Sequence, residues 1–102
     1  MGMLQEFDEE MLNIYRRALS ETGYNASRFL QMLNEPRGLA TARILINLSK
    51  PSEGYTALYL RGRLDLTVEA VIHDNPKWHV LFSAEELEKC KTRLREYEYL
   101  KE

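Results

Sequence analysis

The chain has 102 residues, of which 44% are hydrophobic and 29% are charged, with 14 basic residues against 16 acidic ones. This composition is typical of one ordinary globular domain and excludes a fibre, a long disordered tail or two domains. We therefore predict a single helical domain over residues 1–102. No run approaches the roughly 20 consecutive apolar residues that a membrane span needs, and Cys90 has no second cysteine to pair with. We expect no membrane partner and a cytoplasmic location.

Apolar residues in the first third of the chain recur at three- and four-residue steps, which is the spacing of one helix face. The spacing predicts a first helix over residues 6–22 and a second helix over residues 26–34. Asn25 is placed to accept hydrogen bonds from the first amides of the second helix. The buried face of that helix is predicted to consist of Phe29, Leu30 and Leu33.

The middle of the chain predicts three more helices separated by turns. Helical spacing over residues 39–48 predicts a third helix that is mostly buried, with Thr41 and Arg43 facing water. A fourth helix begins after Ser52, which can cap it, and a fifth covers residues 66–72. The valines of the fifth segment also fit a strand, but no second alternating run exists to pair with it.

The C-terminal part gives the clearest local signal. Ser83 and Glu86 have the spacing of a capping box, in which each side chain satisfies an amide near the other. A sixth helix is predicted over residues 84–99, with Cys90 on its buried stripe. Together these elements predict an all-α fold, a compact bundle of five or six short helices.

Residues able to bind metals or to catalyse reactions show no arrangement typical of an active site. His73, Asp74 and His79 are the only group that resembles metal ligands, but the histidines are six residues apart, whereas a helical pair is usually four apart. The five glycines are scattered and form no phosphate-binding loop. We predict that the protein is not an enzyme and that it uses no metal or cofactor.

The middle third of the chain is basic, although the whole chain carries a net charge of −2. Residues 28–63 contain six basic side chains against two acidic ones, which leaves +4. One interpretation is a surface for phosphates or for an acidic partner. The other is that the arginines pair with acidic residues of the flanks. The nucleic-acid-binding interpretation would use Arg28, Arg37, Thr41 and Arg43.

Residues 18–28 contain Ala-Leu, then Thr-Gly, then Asn and Arg at fixed spacing. This segment resembles the one that opens the helix-turn-helix of Fis-like bacterial regulators. The resemblance implies that the next helix contacts DNA. Thr41 and Arg43 are the residues on that helix that could read bases or hold phosphates.

A second resemblance covers most of the chain. Residues 54–58 read Gly-Tyr-Thr-Ala-Leu and residues 61–69 read Arg-Gly-Arg-Leu-Asp-Leu-Thr-Val-Glu, and Trp78 and a Glu-Glu-Leu helix follow them. These blocks are similar to those of a family of small uncharacterised bacterial proteins. The resemblance implies a shared fold and does not imply a mechanism.

The basic block at residues 61–69 has two interpretations of its own. Arg61 and Arg63 can hold a carboxylate or a phosphate in parallel hydrogen bonds. Arg63 can instead link one helix to another through Asp65 or Glu69. In the first interpretation the partner-binding residues are Arg61, Arg63, Tyr55 and Tyr59.

Ten of the residues are aromatic, six of them tyrosines, which is more amphipathic surface than one small core requires. The leading functional prediction is a non-enzymatic bacterial helical module that binds another protein, with a homodimer as one form of that binding. The last residues of the sixth helix are predicted to extend into a dimer contact: Tyr97, Tyr99 and Leu100. The alternative function is a nucleic-acid-binding accessory protein.

Overall fold

The computed structural model describes residues 2–100; Met1, Lys101 and Glu102 belong to the predicted domain but lie outside the described residues. Six α-helices follow one another, and residues 2–100 contain no strand. They are α1 (Met3–Thr22), α2 (Ser27–Asn34), α3 (Arg37–Ile46), α4 (Glu53–Leu60), α5 (Val68–Asp74) and α6 (Ala84–Glu96). Short 3₁₀ segments, Leu64–Leu66 and Pro76–Leu81, flank α5. The predicted all-α bundle is confirmed.

Hydroxyl side chains cap the N-termini of three of the six helices. Ser52 caps α4 and Thr67 caps α5, each by accepting a hydrogen bond from the third amide beyond it. At α6, the Ser83 hydroxyl accepts from the Glu86 amide at 3.0 Å, and the Glu86 carboxylate accepts from the Ser83 amide at 2.9 Å. Each cap stabilises its helix by about 1 kcal/mol. The predicted capping box is confirmed, and the fifth segment is a helix rather than a strand.

The predicted N-cap of α2 is wrong. The helix begins at Ser27, and Ala26 stands at the cap without a side-chain hydrogen bond. The side-chain oxygen of Asn25 instead accepts a hydrogen bond from the Tyr15 hydroxyl at 2.9 Å. Asn25 therefore ties the start of α2 to α1.

The start of α3 is capped by a side chain from another helix. The Gly38 amide donates to Oδ1 of Asp8, on α1, at 2.6 Å. A Cβ added at Gly38 would lie 2.5 Å from that oxygen, so the two helices touch at a point that requires glycine. This contact explains why α3 begins at Arg37, two residues before the predicted start.

The core surrounds α5. All residues from Val68 to Ile72 are buried, as expected for a short helix with neighbours on every side. It packs against α6 and α3, and Phe7 places its ring edge-on to Trp78 and Phe82, with centroids 5.2 and 5.7 Å apart. The main core consists of Phe7, Met11, Ile14, Ala42, Ile46, Val68, Val71, Ile72, Trp78, Phe82 and Cys90.

α2 lies on the outside of the bundle. It packs against α1 and α3, and none of its residues is fully buried. Phe29 and Leu33 pack against the main core, as the prediction requires, but they and Leu30 are only half-buried. Their incomplete burial leaves one side of α2 open to solvent.

The orientation of α3 also differs from the prediction. Its buried face carries Gly38, Thr41, Ala42 and Ile46, which are spaced as one helical stripe. Thr41 is therefore fully buried rather than facing water, because it lies one turn after the glycine that contacts α1. The helix ends at Ile46, so the predicted last residue, Leu48, lies in the following turn and is 41% exposed.

None of the helices between residues 2 and 100 combines the length and the apolar content required to cross a membrane.

Candidate protein-binding groove

Arg93, on α6, joins four helices at one side of the bundle. Its Nη1 lies 2.8 Å from Oε2 of Glu69 and 3.3 Å from the Leu45 carbonyl, and its Nη2 lies 2.8 Å from the Leu48 carbonyl. The Tyr55 hydroxyl donates to the carbonyl of Arg93 at 3.1 Å. Carbonyls at a helix end have no partner inside the helix, so the guanidinium satisfies the end of α3 while it neutralises a carboxylate on α5.

The partner of this arginine is a fully buried acid. Burial raises the pKa of Glu69, and the hydrogen bond from Arg93 lowers it only in part. Both side chains are almost inaccessible to water, 11% for Arg93 and 3% for Glu69. The pair fixes the positions of α3, α5 and α6 relative to one another, and with them the surface beside α3.

Two of the four predicted partner-binding residues are engaged within the chain. Tyr55 is buried against α6, and its burial raises the pKa of the phenol. The prediction that Tyr55 contacts a partner is therefore wrong. Arg63 lies 3.0 Å from Asp65, one of its two predicted partners, and 2.7 Å from Glu21, on α1, which links it to another helix; the other predicted partner, Glu69, pairs with Arg93 instead. Hydrogen bonds from Arg17 and Arg63 lower the pKa of Glu21 to about 2.

The other two predicted residues are exposed at the end of α4. Tyr59 is 43% exposed, and Leu60 beside it is 75% exposed. Arg61 makes no ion pair within residues 2–100, and its guanidinium lies over the ring of Tyr24, 5.1 Å from the centroid. We call Tyr59, Leu60 and Arg61 the α4-end surface.

The four residues of the nucleic-acid interpretation do not share one face. Thr41 is buried, and Arg43 lies 3.5 Å from Glu86, on α6. Arg37 and Arg43 line a hollow between α1 and α3, whereas Arg28 lines a different one, between α2, α3 and α4. The interpretation that basic residues of the middle third pair with acidic flanks is confirmed for Arg43, as it is for Arg63.

The two histidines come closer together than their spacing indicated. His73, His79 and Glu88 line one surface hollow. Nδ1 of His73 contacts Asp74 at 3.0 Å, and Nε2 of His79 contacts the Ile72 carbonyl at 3.0 Å. Within residues 2–100, no group of three or more histidine, cysteine or acidic residues is arranged to hold a metal ion.

The C-terminal aromatic residues contact their own chain. The ring of Tyr97 lies edge-on to Tyr55 and Tyr59, with centroids 5.1 and 4.9 Å away. The hydroxyl of Tyr99 donates to Asp74. The three residues predicted to reach a second copy are half-buried against the cluster around Tyr55 and Leu94: Tyr97, Tyr99 and Leu100.

An apolar groove of about 360 Å³ lies between α2, the end of α3 and the start of α4. Ile44, 48% exposed, and Leu48, 41% exposed, stand at its edge. Phe29 and Met32 of α2 line its other side. A smaller cavity of about 50 Å³ shares part of this lining, including Phe29 and Leu45, and is also lined by the buried Ile14 and Ala18.

Two opposite charges lie at the groove. Arg28, from α2, and Glu53, the first residue of α4, are both exposed and both line it. Neither makes an ion pair with another residue of the described range 2–100. The Arg93 guanidinium donates hydrogen bonds to the carbonyls of Leu45 and Leu48, and these bonds hold the α3 side of the groove in place.

The sequence predictions missed the groove. Its clearest signal is Ile44, a large apolar residue two positions after Ala42 and therefore off the buried stripe of α3. Ile44 is informative because it lies beside the exposed Leu48 and the half-buried Met32, and a contiguous apolar surface is typical of a contact beyond the chain's own core. Glu53 had no local signal beyond its position at the start of α4.

The fold and the groove define an all-α protein with an open apolar surface between its helices. Comparisons of the chain with protein-family models, with curated proteins and with solved structures find no match. The resemblances to a small bacterial family and to Fis-like regulators therefore stay predictions.

Proposed function

We propose that this protein is a non-enzymatic helical module that binds another protein through the groove between α2, α3 and α4. The observation that carries the proposal is the contiguous apolar lining, with Ile44 and Leu48 exposed beside the half-buried Phe29 and Met32. Contiguous exposed apolar surface is typical of interaction sites, whereas single exposed apolar residues are ordinary. Burying one such side chain contributes about 1.5–3 kcal/mol.

Two further features support a binding role. The α3 side of the groove is held by Arg93, and a preorganised surface loses less conformational entropy when a partner binds. The α4-end surface adjoins the groove through Tyr24, which lines the groove and lies beneath Arg61. Tyrosine and arginine are the residue types that often dominate binding energy at interfaces, so Tyr59 and Arg61 extend the proposed contact.

The single cysteine fits a non-enzymatic protein of the cytoplasm. Cys90 is buried, and burial raises its pKa to about 12, so the nucleophilic thiolate is disfavoured. A free thiol is also typical of a reducing compartment. These observations support a non-enzymatic protein and a cytoplasmic location, and they do not identify a partner.

Nucleic-acid binding has less support than protein binding. Phosphate recognition needs several cations on one face, and Arg28 and Arg37 line two separate hollows. Arg43 is paired with Glu86. The groove is lined mainly by apolar side chains, which suit a protein partner better than a phosphate backbone.

We expect a photo-crosslinking residue at position 48 to capture a defined partner in cells that make the protein. p-Benzoylphenylalanine in place of Leu48 lies at the groove, while the same residue in place of Val80, which is 77% exposed, lies outside the groove lining and is the matched control. The expected result is a discrete adduct at position 48 only, identified by mass spectrometry.

A second substitution makes that result specific to the groove. Adding Ile44→Glu places a charge on its apolar edge and should abolish the adduct, whereas adding Leu19→Glu, at a similarly exposed position on α1, should leave it intact. The proposal is wrong if no adduct forms at position 48, or if the adduct survives Ile44→Glu.

A further inference from the structure

Resting on the proposed function, we infer that the partner in the groove is a second copy of this chain, bound across a two-fold axis. In such a dimer the same surface serves both copies, so the surface must be complementary to itself. The inference is carried by the charges and the shape of the groove.

The charges at the groove are self-complementary. It carries one cation, Arg28, and one anion, Glu53, on different helices, and neither has an ion-pair partner within residues 2–100 of its own chain. A two-fold axis that passes midway between these two residues places Arg28 of each copy opposite Glu53 of the other. The arrangement forms two equivalent ion pairs, and a partner of one charge sign would leave one of the two residues unmatched.

The apolar shape is also self-complementary. Ile44 and Leu48 project at the edge, and the hollow of about 360 Å³ lies beside them against Phe29 and Met32. In the two-fold arrangement the projecting side chains of one copy enter the hollow of the other. Water leaves both grooves at once, and this supplies the main driving force.

The available surface limits the size of the interface. A standard interface uses about 800 Å² from each partner, which is about an eighth of the 6067 Å² of surface on this chain. The groove and the α4-end surface, joined through Tyr24, are the surface available for this contact. We expect a weak dimer, with a dissociation constant on the order of tens of micromolar.

Charge reversal tests the inference directly. Sedimentation velocity from about 10 to about 500 μM should show the wild-type chain passing from monomer to dimer. Arg28→Glu and Glu53→Arg should each weaken the homodimer by about tenfold or more, since each places like charges opposite one another. The matched control is Arg95→Glu, an exposed change on α6 outside the groove, which should leave dimerisation unchanged.

Mixing the two variants separates contacts between chains from contacts within one chain. In an equimolar mixture of R28E and E53R, both ion pairs across the axis again join opposite charges, so a heterodimer should form about as tightly as the wild-type dimer. Thermal unfolding of each variant confirms that it is folded. Neither variant alone can regain this affinity, which makes the mixture the decisive sample.

The outcomes distinguish this inference from the proposed function. A wild-type chain that stays monomeric to about 500 μM, a dimer insensitive to both reversals, or a mixture no tighter than its components overturns the second-copy inference. Crosslinking at position 48 to a different protein would then leave the proposed function standing. Absence of any adduct at position 48 removes both.

Discussion

Replacing Arg93 by methionine is expected to lower the free energy of unfolding by about 3–5 kcal/mol, because it leaves Glu69 buried without its cation. The carbonyls of Leu45 and Leu48 also lose their donor. Urea denaturation at pH 7 measures the effect. Arg95→Met, an exposed change on the same helix, is the matched control and should stay within about 0.5 kcal/mol of the wild type.

The loss in free energy of unfolding caused by Arg93→Met should depend on pH in a defined direction. The pKa of Glu69 is raised in the folded protein, so the folded state holds this proton more tightly than the unfolded state. The contribution of Glu69 to the free energy of unfolding therefore falls as the pH rises from the ordinary carboxyl pKa through the raised pKa. Arg93 lowers the pKa of Glu69, so its removal raises that pKa further and widens the pH range over which stability is lost. The loss of stability caused by Arg93→Met should therefore be larger at pH 7 than at pH 5. A deficit that grows on acidification would contradict this explanation.

Replacing Gly38 by alanine is the second large effect that we expect. The new Cβ would lie 2.5 Å from Oδ1 of Asp8 and 3.1 Å from its Cα, so α1 and α3 must separate and the bond from the Gly38 amide must weaken. We expect a loss of at least about 2 kcal/mol, within the range for overpacked sites with a lost hydrogen bond.

Gly54→Ala is the matched control for that substitution. A Cβ at Gly54 meets nothing closer than 3.8 Å, and the residue lies inside α4, where alanine is favoured over glycine by about 0.5–1 kcal/mol. Thermal denaturation should therefore move the two variants in opposite directions. Equal destabilisation by both changes would show that the Asp8 contact is not the cause.

The helices were predictable because their signals are local. The hydroxyls of Ser52 and Ser83 lie three residues from the amides that they cap, and a window of that length contains the whole interaction. The cap of α3 was not predictable, because Asp8 and Gly38 are 30 residues apart. Only the packing of α1 on α3 brings them together.

The candidate site was less predictable than the fold. Residue type favoured Tyr55 and Arg63 as contact residues, but burial against α6 engages the first and ion pairs engage the second. The groove depends on how far α2 covers α3, which periodicity does not determine. Ile44 was the one residue whose position off the buried stripe indicated it.

The most direct test of the groove as the contact surface is the amide NMR spectrum of the wild-type chain, recorded from about 20 μM to about 1 mM. We expect concentration-dependent shifts at residues 26–32, 44–48, 52–54 and 59–61, and constant positions for residues 76–81. A spectrum that does not change, or changes centred on residues 76–81, would contradict the account.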